Sequence, residues 1–340
     1  MDRSKPFQSK LNPYADEIFE WLDIHEKSYR EVAALLSAKY GFSVTHNAVF
    51  SFATRRRKRT RPKVYYDEIP FNFQDMILRQ ITAEWTYSST AIEGNTFTLG
   101  DTIKALDYGM EIRGKMVCEQ QEIYGHATAI DLVYRMLDKP LITEQDVFDL
   151  HRAVMPSDVA VDIFNPVGAW KREPNGTYGT LHGHPVYMAY AEPDAVPELM
   201  RRWLDDLNRA TRRIRSLEDA LTASLMAHTG FVRIHPFFDG NGRLARLLAN
   251  IPVLCAGYPP ILIEPQQRDT YISLLWRYQN AVGQITPGTP LAPDHAELDT
   301  FKTLLRNQWD STLKLVETVK SGGARFRYKG KCPVKTSPSM

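Results

Sequence analysis

Apolar residues recur at intervals of three and four along most of this chain, the spacing of a buried helix face. Ile18, Trp21, Leu22 and Ile24 form a short first stripe. A second begins at Ser28. Ser28-Tyr-Arg-Glu31 has the capping-box pattern, in which serine hydroxyl and glutamate each satisfy an orphan backbone donor. Val32, Leu35 and Leu36 line its inner face, and Gly41 stands where a helix C-cap glycine is wanted. Thr45 can cap a third helix, with Ala48, Val49 and Phe52 turned inward. The polar, proline-containing stretch Thr60–Phe71 reads as a linker.

The helical period resumes at about Phe73 and predicts helices over Gln74–Ser89, Asp101–Met110, Glu119–Leu137 and Glu144–Val154. On the third of these, Ile123, Ala127, Ile130, Val133 and Leu137 share a stripe. Between Ala169 and Tyr190 the pattern changes: Gly176, Gly179 and Gly183 punctuate a run with Thr, Tyr and Val, which suits a short β-hairpin. Helices follow over Val196–Ala210, Leu217–Ile234, about Gly242 to Cys255, Asp269–Val282 and Asp294–Lys320. The last turns Leu298, Phe301, Leu305, Leu313 and Val316 inward, and the tail after Ser321 reads as loose. The predicted class is mainly α. The expected divisions are a three-helix unit with a basic tail (1–62), a helical region (63–140), a central core (141–285), and a C-terminal helix with its tail (286–340).

Composition narrows the function. The 340 residues are 43% hydrophobic with a net charge of only +2, ordinary for a globular chain and wrong for a polycation. No apolar run approaches a membrane span, and MDRSKPFQSK lacks the apolar core of a signal peptide. Cys118, Cys255 and Cys332 have no metal spacing and read as small reduced thiols, which points to a cytoplasmic setting. Charge is concentrated in one place: Arg55 to Lys63 reads RRRKRTRPK, basic except at Thr60 and Pro62. That run predicts an anionic partner at this end of the chain. The stretch SYREVAALLSAKYGFSVTHNAV resembles the helix-turn-helix modules of bacterial regulators and transposases. The resemblance implies that Thr45, His46, Asn47, Ser51 and Thr54 face a DNA groove, with residues 14–63 as the DNA-binding part. A three-helix protein-docking unit with a solvated basic tail fits the same residues.

The chemistry lies in His235-Pro-Phe-Phe-Asp-Gly-Asn-Gly-Arg-Leu-Ala-Arg246. A helix ends at a His-Pro pair, since proline disfavours a helical predecessor. Gly240 and Gly242 allow unusual backbone angles and close approach to a ligand. The next helix begins here, so its free N–H groups and dipole face the loop and form an anion site. Arg243 and Arg246, three apart, can hold phosphate oxygens with forked bonds. Asp239 would repel a bare phosphate but fits a bridging cation, for which Mg²⁺ is the natural choice. His235 can take a proton from an incoming hydroxyl near neutral pH. Each residue also has an ordinary reading: a satisfied loop histidine, an Asp N-cap, a tight turn, surface arginines.

This segment resembles the motif of the Fic family, His-x-Phe-x-Asp/Glu-Gly-Asn-Gly-Arg-x-x-Arg, at every defined position, and the wider likeness runs from about Pro70 to Gln284. The resemblance implies a protein adenylyltransferase: His235 activates a Tyr, Thr or Ser hydroxyl, which attacks the α-phosphorus of ATP and releases pyrophosphate. It places Mg²⁺ on Asp239 and the anion hole on Gly240, Asn241 and Gly242. Arg243 and Arg246 become the phosphate clamps, Arg246 nearest the γ-phosphate. A lysine at the second glycine marks phosphate-transferring relatives; Gly242 favours the AMP-transferring kind. Ser89-Thr-Ala-Ile-Glu93-Gly94 resembles the family's inhibitory helix motif, Ser/Thr-x-x-x-Glu-Gly/Asn. That implies Glu93 pairs with Arg246 and denies it to the γ-phosphate. An exposed helix face is the alternative for Ser89 and Glu93.

In some relatives the glutamate is implicated in removing AMP, so hydrolysis of AMP-protein bonds stays open. So does a DNA-binding regulator with a nucleotide-sensing domain. The hairpin occupies the place of the family's flap, which registers a target segment by main-chain pairing. Gly168-Ala-Trp-Lys-Arg172 resembles its lead-in. Tyr271 and Asn280 are placed on the nucleoside by loose spacing. Relatives of this class often dimerise, so a homodimer is a further expectation. His182-x-His184 reads as surface or flap, and His228 as a packing residue behind the motif.

Overall fold

Ser28 closes the capping box the sequence predicts: Glu31 N–H donates to its hydroxyl at 3.2 Å and Ser28 N–H donates to the Glu31 carboxylate at 2.7 Å. Gly41 ends that helix at φ 71°. The computed structural model describes residues 9–23, 25, 27–59, 64–155, 166–181 and 183–321. The elements are α1 (Ala15–Asp23), α2 (Tyr29–Tyr40), α3 (His46–Arg59), α4 (Phe71–Ile92), α5 (Leu99–Tyr108), α6 (Val117–Met136) and α7 (Glu144–Val154). A two-stranded antiparallel hairpin, β1 (Gly176–Leu181) and β2 (His184–Ala189), pairs Gly176 with Ala189 through Leu181 with His184. Then come α8 (Val196–Arg213), α9 (Leu217–Ile234), α10 (Asn241–Leu248), α11 (Asn250–Cys255), α12 (Arg268–Val282) and α13 (Ala296–Lys320).

α1–α3 pack around their own small core of Leu11, Ile18, Val32, Leu36, Val49 and Phe52. Two expected inward residues are not inside. Leu35 is exposed and so is Ala48, because Leu36 and Val49, one position on, lie at the centre of the α2–α3 contact. Ala53 is buried instead. Thr45, His46 and Asn47 are exposed and Ser51 half-buried. Ile24, the side chains of Thr54 to Arg59, all of residues 60–63, His182, Cys332 and the tail after Ser321 lie outside the described residues.

From Val64 on, the main core is built by α4, α6–α11 and α13: Ile77, Val133, Val147, Trp203, Phe231, Leu247 and Val316 belong to one cluster. A second cluster joins α9, α12 and α13 through Leu225, Tyr271, Phe301 and Trp309. Glu144–Val154 and Leu217–Ile234 form helices with the predicted bounds, while the expected helix over Gly242–Cys255 breaks at Ala249. Pro252 is the reason: it has no N–H to give Leu248, and its ring clashes with that carbonyl. Asn250 stabilises the break, donating to the Arg246 and Ile261 carbonyls and accepting from Ile261 N–H. The break leaves α10 a short helix of eight residues whose N-terminus faces the end of α4. Among the described residues no helix is long and apolar enough to cross a membrane.

Candidate active site

α9 ends at His235, whose N–H still donates to Phe231 O at 2.9 Å while its own backbone turns left-handed at φ 51°, ψ 60°. Among the described residues it is the only non-glycine with positive φ. Such backbone strain persists only where the surroundings over-determine it. Here Pro236 and the loop do so. Lys171 N–H donates to Pro236 O at 2.9 Å. The Asn241 amide bonds Phe237 both ways, accepting from its N–H at 3.0 Å and donating to its carbonyl at 2.8 Å. The Asn241 side chain thus locks the loop, and only its backbone is left for a ligand.

Behind the loop, His151 accepts from Gly168 N–H at 2.8 Å through Nδ1, so its Nε2 carries the proton toward the Asp239 carbonyl at 3.2 Å. Its ring stacks on Phe237 at 3.8 Å. Burial pushes its pKa down to about 4, which keeps it in this neutral form.

His235 Nδ1 lies 3.3 Å from Val232 O. A carbonyl can only accept, so Nδ1 holds the proton and Nε2 keeps a free lone pair. The ring is half-buried against Tyr190. Burial first, then the Lys171 ammonium, lowers its pKa to about 3. Lys171 is itself buried, its ammonium on Asn175 Oδ1 at 2.5 Å, and burial brings it down to about 8.

Gly240 caps α10 at φ 78°, and the start of that helix points its free N–H groups into the site. Asp239 is a solvent-facing carboxylate, its side chain 64% exposed and 3.7 Å from the Arg243 guanidinium. Arg243 is buried, donating to Val154 O at 2.9 Å and lying 3.6 Å from Glu122; its Nε has no partner among the described residues.

Arg246 is buried too. It donates to Ser89 Oγ at 3.0 Å, to Ser89 O at 2.8 Å and to Glu93 Oε1 at 2.6 Å. Glu93 is the C-cap of α4, and Gly94 turns the chain away at φ 103°. The structure therefore brings Ser89 and Glu93 onto Arg246, 157 and 153 residues downstream, with Gly94 at the turn that follows them. A methyl group on Gly242 would run into Glu93 Oε1, so the carboxylate sits directly over the start of α10. Burial would raise the Glu93 pKa, but Arg246, helped by Arg243 and Arg268, outweighs it and holds the carboxylate below its ordinary range. The side chain keeps 39% of its exposure, so the pair is closed by contact, not sealed from solvent.

Tyr271 lies under Arg246, with the guanidinium 5.9 Å from its ring centre and its hydroxyl 2.9 Å from His228 Nε2. Tyr271 is 1% exposed, so it supports the arginine from below. His228 is the packing residue expected.

Between the hairpin and α12 lies a cavity of ≈ 460 Å³ next to the motif, lined among others by Thr177, Tyr190, Thr229, Val232, Arg268, Ile272 and Trp276. Tyr271 and Asn280 are not among its lining residues. On α12 the lining residues are Arg268, Asp269, Ile272, Ser273, Leu275, Trp276, Tyr278 and Gln279, so Tyr271 and Asn280 stand between or beside lining residues without lining the cavity themselves. Two polar atoms on the cavity wall, Thr229 Oγ1 and Trp276 Nε1, are buried with no partner among the described residues. Lys171 lies in the Gly168–Arg172 stretch singled out above, whereas Tyr190, Thr229 and Trp276, in the segment after β2, in α9 and in α12, carry no local sequence pattern that marks them. Among the described residues no three His, Cys, Asp or Glu side chains cluster as a metal site.

Residues 141–252 match the family model described as Fic/DOC family. "Protein adenylyltransferase Fic" of Drosophila willistoni is 34% identical over 247 residues, 72% of this chain and 42% of that protein. The protein of the same name from Drosophila mojavensis is 37% identical over 190 residues, 56% of this chain and 35% of that one. The chain thus spans less than half the length of these curated relatives. Among solved structures, a Fic domain-containing signalling protein from Bacteroides thetaiotaomicron superposes with a TM-score of 0.64 at 24% identity, covering 77% of this chain and 97% of that one. A fragment of Fic-1 from C. elegans gives 0.56 at 23%, covering 92% and 83%. At these identities the two structures speak for the fold. With the motif geometry and the family match at residues 141–252, the chain belongs to the Fic/DOC family.

Proposed function

We propose that this chain transfers AMP from ATP to a Tyr, Thr or Ser hydroxyl of a protein, the chain itself included, and that Glu93 holds it at rest. The observation that carries the reading is His235, held neutral with Nε2 free beside the N-terminus of α10 and its two arginines. In this reading the target oxygen forms a bond to the α-phosphorus, the bond from that phosphorus to the bridging oxygen breaks, and pyrophosphate leaves. The hydroxyl proton passes to His235 Nε2. The lowered pKa of the imidazole makes it a weak base in the free protein, and the negative charge of a bound triphosphate raises it toward the range where a base works well.

The residues fit Mg²⁺ carried in with the nucleotide. Asp239 is a single exposed carboxylate, and an ion that takes most of its oxygens from phosphates and water needs no more from the protein. Bound there, Mg²⁺ would neutralise phosphate charge. Asn241 and Gly242 offer backbone N–H groups, the Gly240 N–H donating to Asp239 Oδ1 at 2.6 Å, and Arg243 and Arg246 offer guanidinium donors. Arg246 can do so only after releasing Glu93, which is the proposed inhibition. The nucleoside is placed in the cavity between hairpin and α12, and the target segment on the hairpin edge.

A purely nucleotide-sensing regulator would have no use for His235 beside this cradle, and the relatives carry an enzyme's name. We infer a narrower role for α1–α3, a tether to DNA through exposed Thr45, His46 and Asn47 and the basic run that follows. DNA binding by the full chain that does not weaken with added salt would end that role.

The test of the main reading is label transfer from α-³²P-ATP with Mg²⁺ and host lysate. The parent, Glu93→Gly, and Glu93→Gly with His235→Ala are compared. Label concentrated in Glu93→Gly and lost in the double variant is the expected result. No label in any of the three overturns AMP transfer, and label that survives His235→Ala overturns the base.

A further inference from the structure

We propose that Tyr190 is a positioning residue for the base, a clamp that fixes the plane of the His235 imidazole and ties it to the hairpin. This rests on the reading of His235 as the base. His235 hangs beyond the last turn of α9, on a left-handed backbone. Among the described residues its ring makes one hydrogen bond, to Val232 O, which is long at 3.3 Å and holds a single ring atom. One such point leaves the ring free to swing about Cβ–Cγ, and a swung ring takes Nε2 off the path of an incoming hydroxyl. Tyr190 supplies the missing constraint. Its ring lies 3.8 Å from the imidazole with 1° between the planes.

Tyr190 is itself held at three points. Its N–H donates to Asn175 O at 3.0 Å. Its carbonyl accepts from Gln284 Nε2 at 2.8 Å. Its hydroxyl bonds Thr177 on β1. Asn175 in turn donates to Phe237 O at 2.9 Å, so the clamp begins and ends on the motif loop. The charged groups that face the imidazole are Lys171 and Glu93, and neither stacks on it. The hairpin that would receive a target therefore also sets the orientation of the group that deprotonates it.

The test uses the full chain in the Glu93→Gly background, with Tyr190→Ala, Tyr190→Leu and Tyr190→Phe. Leu keeps apolar bulk without a ring, which guards against a merely collapsed site. The kcat for AMP transfer falls ~100-fold in Ala and Leu, as expected of a misplaced reacting group, with KM for ATP within about threefold, and Phe recovers most of it. In parallel, the His235 ring resonances, assigned through His235→Ala, start upfield under the tyrosine ring current. They move downfield in Ala and Leu and stay in Phe. Leu matching Phe in kcat, or His235 resonances that do not move in Leu, overturns the clamp. If the background variant transfers no AMP, the AMP-transfer reading fails, and the resonances alone decide the clamp.

Discussion

The two halves of the site are in opposite states. On the α10 side Arg246 Nε and Nη2 meet the protein's own oxygens, from Ser89 and Glu93, and Glu93 lies over the helix N-terminus. On the α12 side lies a cavity of ≈ 460 Å³, and Thr229 Oγ1 and Trp276 Nε1 on its wall have no partner among the described residues. Buried polar groups left unmade cost free energy, so native proteins keep few of them without a purpose. The filled half is where phosphates would go, and the open half is where a nucleoside would go. Under the function proposed above, the contrast corresponds to a resting state that would admit the base and sugar and refuse the productive placement of the triphosphate.

The largest effect tests whether the filled half holds a working site at all. In the Glu93→Gly background, His235→Ala lowers the rate of AMP transfer roughly 10²–10⁴-fold, the ordinary worth of a positioned general base. Rates measured by label incorporation that differ by less than about tenfold would mean that the barrier lies elsewhere. Next in size is Glu93→Gly itself. It removes one charge-assisted bond to Arg246, of a kind worth roughly 1.5–3 kcal/mol, and so raises transfer about 10–100-fold. ATP affinity changes much less, since the open half is untouched. A Glu93→Gly protein whose gain lies wholly in ATP affinity would erase the distinction between the halves.

The filled half was legible in the sequence and the open half was not, for a physical reason. His235 to Arg246 is contiguous, and a loop, two glycines and a helix start encode the anion site in consecutive residues. Ser89, Glu93 and Gly94 were readable because i and i+4 share a helix face and glycine ends the helix. The cavity wall is assembled from β1, Tyr190, α9 and α12, with no local pattern to give it away. Tyr271 and Asn280 were expected at the nucleoside from loose spacing alone, and on α12 their neighbours, Ile272, Trp276 and Gln279 among them, line the cavity. The Pro252 break is the same lesson on a smaller scale: the apolar period ran through it while the backbone could not.

Acid should loosen the filled half in two separate windows. His228 lies beneath Arg246, and burial, then that arginine, lowers its pKa from 6.5 to about 3. His235 is lowered to about 3 and His151 to about 4. As pH falls below 6.5 the unfolded chain binds protons that these folded-state histidines refuse, so stability drops with falling pH until their folded values are reached. Each contributes roughly 1 kcal/mol per pH unit in that window. Glu93, held below 4.5, adds its loss only below that value. Replacing His228 by Gln keeps a partner for the Tyr271 hydroxyl and removes one titrating group. Denaturant unfolding at about pH 7 and about pH 5 should then show a stability loss smaller by roughly 1–2 kcal/mol than in the parent. An unchanged difference would mean that His228 is already charged in the fold.

The smallest effect probes the open half. Trp276 packs against Gly179 of the hairpin so closely that a methyl group there would overlap the indole, and its N–H finds no acceptor among the described residues. Trp276→Phe keeps an aromatic ring over Gly179 and deletes the idle donor. In the free protein this removes a cost and gains nothing else, so thermal unfolding should stay level or rise slightly. With nucleotide bound, the same change deletes a donor that now has a partner, a net loss of about 1 kcal/mol or about fivefold in Kd. The sign of the first effect against the second is the decisive feature. A variant that loses stability without ATP and keeps its ATP affinity would show that the indole N–H is not idle, and the open half would be a packing defect with no ligand to explain it.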